Sequence, residues 1–419
     1  MNVLWITNIA LPEALELLHG KGVLKSSGGW LIGAAEALCK QPDIQLTIAT
    51  VSRDVTRLTR LEGKSITYYL LPFGKGNNKV NHAYEPFWQQ VNKEVNPDVV
   101  HLHGTEFSHG LAYLEACGSE HVCVSIQGLT SAYYYYYYYG ISRNEIRKAF
   151  TLRSLLQGGI LKGYNEFKQR GEVEKDILRR VHHVIGRTSW DRERTWAINP
   201  HAQYHYGGET LRPEFYTTPK WEYANCTPHS IFLSQAFYPI KGLHMVLKAM
   251  PLVLRHYPNT KIRVAGPDIA RTKGGLELLK LSNYGMIIRR MIKKYELEDV
   301  ISFTGALDGE GMKREYLNCN VFVCPSSIEN SPNSLGEAQI LGVPVVASYV
   351  GGVMDMMKGD EEHLYRFEEI EMLAYKICDI FKHGAKIDTV SMRQVALQRH
   401  DPEKNVKELI DTYRLVSKE

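Results

Sequence analysis

The chain has 419 residues, a formal net charge of +4, 44% hydrophobic and 23% charged residues. Those values describe a globular protein of two to three domains and exclude nucleic-acid recognition through bulk charge. No apolar run approaches the ~18 residues a membrane-spanning helix needs, so an integral membrane protein is excluded as well. The chain begins directly with a β-like run, Met1–Ile6. It shows no charged flank or cleavage site of a secretory signal, so a cytoplasmic location is expected. Seven cysteines are scattered without a CxxC pair, and neither a zinc site nor a disulfide framework is expected.

In chain order, β-branched runs predict strands at Val3–Thr7, Leu46–Val51, Val99–Leu102, Val122–Ile126 and Val181–Ile185. A second series follows at Ser230–Leu233, Lys261–Ala265, Val300–Phe303, Val321–Cys324 and Pro344–Ser348. Helical patterns lie between them at Gly33–Lys40, Leu243–Pro251 and Asp308–Leu317, and a last helix covers Asn405–Ser417. Strands separated by helices imply parallel sheets of βαβ units. Ten strands exceed one comfortable sheet, so the expected fold is α/β, with two Rossmann-like doubly wound domains facing a central cleft. The expected bounds are residues 1–210 and 226–399, with 206–225 as linker and a helix at about 400–419 packing back on the first domain. Ligands of such folds bind at the carboxyl ends of the strands.

The most informative stretch is Val321–Gly352, VFVCPSSIENSPNSLGEAQILGVPVVASYVGG. It parses as strand, Pro-Ser turn, loop, helix, strand and Gly-Gly turn. Asn333 or Ser334 is expected to cap the helix, Gly342 to end it, and Glu337 to sit in its first turn. The unpaired N–H groups of a helix N-terminus, with its dipole, attract an anion. Two carboxylates beside that anion site, Glu329 and Glu337, suit a ligand bearing both phosphates and hydroxyls.

This stretch resembles the E-x7-E signature of family-four retaining glycosyltransferases, which have the GT-B fold, here as Glu329 and Glu337. The resemblance implies that Glu337 binds the nucleotide ribose, Glu329 the donor sugar hydroxyls, and backbone near Asn333, Ser334 and Leu335 the diphosphate or sugar. Ser230–Met250, SIFLSQAFYPIKGLHMVLKAM, looks like the family's strand-loop-helix. Lys241 there matches the lysine that neutralises the donor diphosphate, while Ser234-Gln235 stands where Gly-Arg is usual. Ser27-Gly28-Gly29-Trp30 resembles the glycine loop near donor phosphates and acceptor, which makes Gly28 and Gly29 candidates. The block Pro97–Gly104 resembles a strand that delivers histidine to the cleft. His103 is the residue expected there, with His101 on the opposite face. Gln127 occupies the place of a histidine in many relatives; an amide can position a sugar hydroxyl but cannot act as a base. Arg187-Thr188 and Glu209–Arg212 are read either as cleft-lining groups or as structural ion pairs.

Two segments interrupt the alternation. Tyr133–Tyr139 is seven consecutive tyrosines, expected to form a surface loop with one or two anchoring rings, or to stack on sugars or meet a membrane. Arg143–Arg170 carries seven basic residues interleaved with apolar ones, a composition suited to contact with anionic membrane and equally to a solvated helix. The resemblance therefore implies a metal-independent retaining glycosyltransferase with no cofactor. It takes a nucleotide-diphosphate-sugar donor and a glycan or lipid-linked acceptor in surface polysaccharide biosynthesis. A nucleotide-sugar epimerase or hydrolase on the same fold, and a non-catalytic nucleotide-sugar-binding subunit, stand as the alternatives.

Overall fold

The structure is a computed structural model that describes residues 1–20, 29–73, 82–271 and 275–418. Gly28 lies outside the described residues. The chain divides into two compact units, residues 1–132, 166–212 and 400–419 in one, residues 133–165 and 213–399 in the other.

The first unit holds an eight-stranded sheet. Its strands are β1 (Asn2–Thr7), β2 (Gln45–Ser52), β3 (Thr59–Glu62), β4 (Ile66–Pro72), β5 (Val99–His103), β6 (Val122–Ser125), β7 (His183–Gly186) and β8 (Gln203–Tyr206). Their spatial order is β3-β4-β2-β1-β5-β6-β7-β8. All neighbours are parallel except β3, which pairs antiparallel with β4. β1 lies centrally, with Val3 opposite both Leu46 and Val99. Residues Val3–Ile6 are all buried, the near-continuous apolar run of a strand covered on both faces. The C-terminal helix Pro402–Val416 packs here: Trp5 Nε1 donates to the Tyr413 hydroxyl at 2.8 Å.

The second unit holds β9 (Ser230–Leu233), β10 (Lys261–Val264), β11 (Ile301–Phe303), β12 (Val321–Cys324), β13 (Val345–Ser348) and β14 (Leu364–Tyr365). The order is β11-β10-β9-β12-β13-β14 with every pair parallel. That is the doubly wound order, which reverses direction between its first and fourth strands and opens a ligand crevice there. In this sheet the reversal falls between β9 and β12.

The structure departs from sequence expectation at several points. β3, β4, β8 and β14 are additional strands. Val181 closes the helix Ile160–Arg180 by donating to the Ile177 carbonyl, so β7 starts later than the apolar run suggests. The helix from Leu243 continues through Pro251 to His256, and Val253, two residues past the proline, is buried in the core. Residues 133–165 cluster with the second unit, since Ile141, Ile146, Ala149 and Ile160 join its core rather than that of the first. The 206–225 segment is packed from Pro213 onward: Phe215 is buried against Tyr316, and Trp221 Nε1 donates to the Cys319 carbonyl at 2.7 Å.

Candidate functional site

The loops that follow β9 and β12 carry the candidate donor residues. After β9 the chain passes Ser234-Gln235, makes a single 3-10 turn at Pro239–Lys241, and enters the helix Leu243–His256. Gly242 joins turn to helix with φ of +71°, and a Cβ there would overlap the Pro325 carbonyl oxygen. Only glycine lets the two loops approach this closely. Lys241 is thereby carried to the loop after β12, where its Nζ donates to Glu329 Oε1 at 2.6 Å. The Ser326 hydroxyl donates to the same oxygen at 2.7 Å. Ser234, Gln235, Lys241, Cys324, Pro325, Ser326, Glu329 and Ser334 line one small hollow.

Burial alone depresses the Lys241 pKa, but the Glu329 carboxylate and the Tyr238 phenol outweigh it and hold the ammonium well above its ordinary value. Lys241 is therefore a firmly charged cation over the crevice. Glu329 is fixed from behind as well. A Cβ on Gly351 (φ +51°) would overlap the Glu329 carbonyl oxygen, and Gly352 N–H donates to that oxygen at 3.0 Å. Ser348 Oγ donates to the Ser326 carbonyl at 2.6 Å. The Gly-Gly turn of the sequence thus supports the loop that aims Glu329.

The helix Asn333–Leu341 differs from expectation at its start. Pro332, not Asn333 or Ser334, occupies the cap position, and no side chain caps the first turn. Asn333 and Ser334 are its first helical residues and Leu335 follows them. Uncapped N–H groups at a helix start attract anions, and Asn333 Oδ1 is buried there without a hydrogen-bond partner. Glu337 is the fifth helical residue, opening the second turn rather than lying in the first. It is 5% exposed, and the Tyr316 hydroxyl, which donates to the Ser334 carbonyl at 2.9 Å, stands 3.4 Å from its Oε2.

The remaining candidates lie in the first unit. Gly29 starts the helix Gly29–Cys39. His103 ends β5 and is buried, with its ring 3.8 Å from that of His101 and 4.3 Å from Trp5. His101 therefore shares its face, contrary to expectation, because residues two apart on a strand point the same way. His101 is committed to Tyr413 and Ser125, each at 2.6 Å. His103 Nε2 is buried without a partner, and burial, together with the His101 and Arg187 charges, holds its pKa well below the ordinary range. It is a neutral imidazole near neutral pH.

Gln127 Oε1 accepts from Arg187 at 3.3 Å, and Arg187 also pairs with Glu209 at 3.3 Å, both nearly buried. Thr188 is a cap: its hydroxyl accepts from the Asp191 N–H in a reciprocal box. One further group in this unit had no motif to announce it. Glu106 lies just beyond β5, beside the end of β1, and accepts from Asn8 Nδ2 at 3.2 Å. Burial pushes its carboxyl up to about 7. A carboxylic acid three residues after a central strand is the signal that could have found it.

Among the described residues, two groups of side chains have metal-ligand spacing, His82-Glu85-Glu115 and Asp360-Glu362-His363; neither includes a residue of the hollow. No described helix is long and apolar enough to cross a membrane.

Residues 224–394 match the family described as glycosyl transferases group 1. A glycosyltransferase of Escherichia coli strain K12, WcaL, whose name connects it with colanic acid biosynthesis, is 24% identical over 150 residues, 34% of each chain. The matched segments span about a third of the curated relatives. Among solved structures, sucrose-phosphate synthase from Thermosynechococcus elongatus superposes with a TM-score of 0.67 at 17% identity, covering 99% of each chain. HepE of Anabaena in complex with UDP-glucose superposes with 0.62 at 14% identity, covering 98% of each. These likenesses span both units and show the GT-B fold. The segment 224–394, which contains Lys241, Glu329 and Glu337, is similar to the group 1 glycosyltransferases, and the chain as a whole has the GT-B fold.

Proposed function

We propose that the protein moves a sugar, with retention and without a metal, from a nucleotide-diphosphate sugar to a glycan or lipid-linked acceptor in surface polysaccharide assembly. The observation that carries this reading is the placement of charged Lys241, Glu329 and the uncapped start of Asn333–Leu341 at the reversal point of the second sheet. Cleaving the donor builds negative charge on the departing diphosphate. A preorganised ammonium and helix N–H groups stabilise that charge without reorganising. Lys241 and the amides of Asn333 and Ser334 take this role, while the Leu335 N–H already donates to the Pro332 carbonyl at 2.9 Å. Glu329 accepts hydrogen bonds from the sugar hydroxyls, and Glu337 from the ribose. The WcaL match supports polysaccharide assembly, and the HepE complex supports a nucleotide-sugar donor.

On the acceptor side, His103 and Gln127 serve as neutral hydrogen-bonding groups. Arg187 holds the Gln127 carbonyl, leaving its amide to position an acceptor hydroxyl. The departing phosphate, rather than a protein base, takes the acceptor proton.

Calorimetry with UDP, GDP, ADP and their sugar conjugates tests the donor site. One nucleotide family binds, Glu337→Ala weakens it by about tenfold or more, and Lys241→Ala removes most turnover. Full turnover in Lys241→Ala would reject the diphosphate role. Consumption of the donor sugar without an acceptor would point instead to the epimerase or hydrolase.

A further inference from the structure

The helix Leu152–Gln157 buries none of its six residues, yet three of them are leucines. Leu152, Leu155 and Leu156 stand at i, i+3 and i+4, the spacing of one helix face, and are 47%, 63% and 76% exposed. Phe150 just before them is 60% exposed, and Leu161 just after is 49% exposed. Of the nineteen exposed large apolar side chains among the described residues, five fall within the twelve residues 150–161. Soluble surfaces carry such residues singly; a contiguous group marks an interaction surface.

The backbone beneath this patch is anchored. Thr151 and Ser154 form a reciprocal capping box, and Thr151 Oγ1 donates to the Leu281 carbonyl at 2.7 Å. Asn283 Nδ2 donates to the Ala149 carbonyl at 2.8 Å, while Asn283 Oδ1 accepts from Ile160 N–H at 3.3 Å. Ile146, Ala149 and Ile160 are buried in the core of the second unit. The apolar residues of this stretch thus divide into inward anchors and an outward-facing set, on a backbone fixed to its own unit.

Charge identifies the partner. Arg143, Arg147, Lys148, Arg153 and Lys162 are all exposed, and the one acid among them, Glu145, is engaged by the Ser142 N–H and hydroxyl. Five positive charges less one negative leave +4 in twenty residues, equal to the formal net charge of the whole chain. A second copy docked symmetrically on this face would bring these like charges together. An anionic bilayer instead accepts both parts: apolar side chains enter the headgroup boundary, while arginines and lysines keep their charged ends at the phosphates.

We propose that residues 143–162 form a membrane-docking element that inserts Phe150, Leu152, Leu155 and Leu156 into the surface of an anionic bilayer. This goes beyond the donor-site reading, and its test reads no sugar transfer, so the two succeed or fail separately.

Full-length protein is sedimented with phosphatidylcholine vesicles with and without phosphatidylglycerol. Binding is expected only with the anionic lipid, and Leu155→Ser/Leu156→Ser should weaken it by about tenfold or more. Arg147→Glu/Lys148→Glu/Arg153→Glu should weaken it to a similar extent, and added salt should weaken wild type but not this variant. Equal binding by wild type and both variants would overturn the proposal. So would absence of vesicle binding together with a dimer in solution that Leu155→Ser/Leu156→Ser dissociates, because the face would then meet a second copy. Circular dichroism checks that the exposed substitutions leave the fold unchanged.

Discussion

The Lys241 ammonium and the Glu329 carboxylate neutralise one another at 2.6 Å, in side chains only 13% and 9% exposed. A buried pair of this kind is costly to break on one side, since the remaining charge stays desolvated. Lys241→Ala is expected to destabilise the protein by about 3 kcal/mol, whereas Lys241→Met/Glu329→Leu loses markedly less. Urea unfolding of the single and double variants checks this. Equal losses would show that the ion pair is not the source.

Gly242 carries a second expectation. Alanine there must adopt a left-handed conformation and displace the Pro325 carbonyl. Gly242→Ala should cost about 3 kcal/mol and loosen the positioning of Lys241. A variant with wild-type unfolding midpoint would show that the two loops part easily.

Glu106 adds a pH dependence. Burial raises its carboxyl from an ordinary 4.5 to about 7; its own backbone N–H, Arg170 and Asn8 oppose that rise, and the Glu174 charge adds to it. The native state therefore holds a proton that the unfolded chain releases near pH 4.5. Its stability contribution is complete below about pH 4.5 and declines as pH rises to about 7, by roughly 3 kcal/mol at most. The difference in unfolding free energy between wild type and Glu106→Gln should change across that window and stay flat above it. A constant difference would place the Glu106 titration elsewhere.

Glu174 is fully buried and accepts hydrogen bonds from the N–H and hydroxyl groups of both Thr130 and Ser131, and from the Thr105 hydroxyl at 3.0 Å. It joins the loops after β5 and β6. Glu174→Ala strands these donors and is expected to cost about 3 kcal/mol or more, while Glu174→Gln keeps one acceptor and costs less. Thermal denaturation of the pair reads the difference.

Much of this architecture was legible in the residues. Buried parallel strands such as Val321–Cys324 read as short apolar runs because helices cover both faces of the sheet. β3 and β8 did not, because their exposed or half-exposed polar residues follow no apolar run. The E-x7-E spacing marked Glu329 and Glu337, but it held nothing about Lys241 lying against Glu329. That proximity comes from two loops 88 residues apart meeting at Gly242 and Pro325. The assignment of 143–165 to the second unit was equally out of reach. It depends on Asn283, more than a hundred residues away, bonding Ala149 and Ile160. Glu106 escaped notice because desolvation is a property of surroundings, not of the letter.

The seven tyrosines are one letter in the sequence and seven positions in the fold. Instead of a surface loop with one or two anchors, they form a packed turn of helix and 3-10 helix. Tyr134 is buried while Tyr135 is 64% exposed. The Tyr136 carbonyl accepts from Ser327 Oγ at 2.8 Å, and the Tyr139 carbonyl is 2.9 Å from His244 Nε2. Tyr138 meets Tyr164 edge-on, and Tyr139 lies against Phe367. The run therefore has a reading frame of its own. Adding or removing one tyrosine leaves the composition almost unchanged, yet it would exchange buried rings for exposed ones and break the link between Tyr136 and the loop that carries Glu329. The length of the run is therefore as much a structural parameter as the rings that compose it.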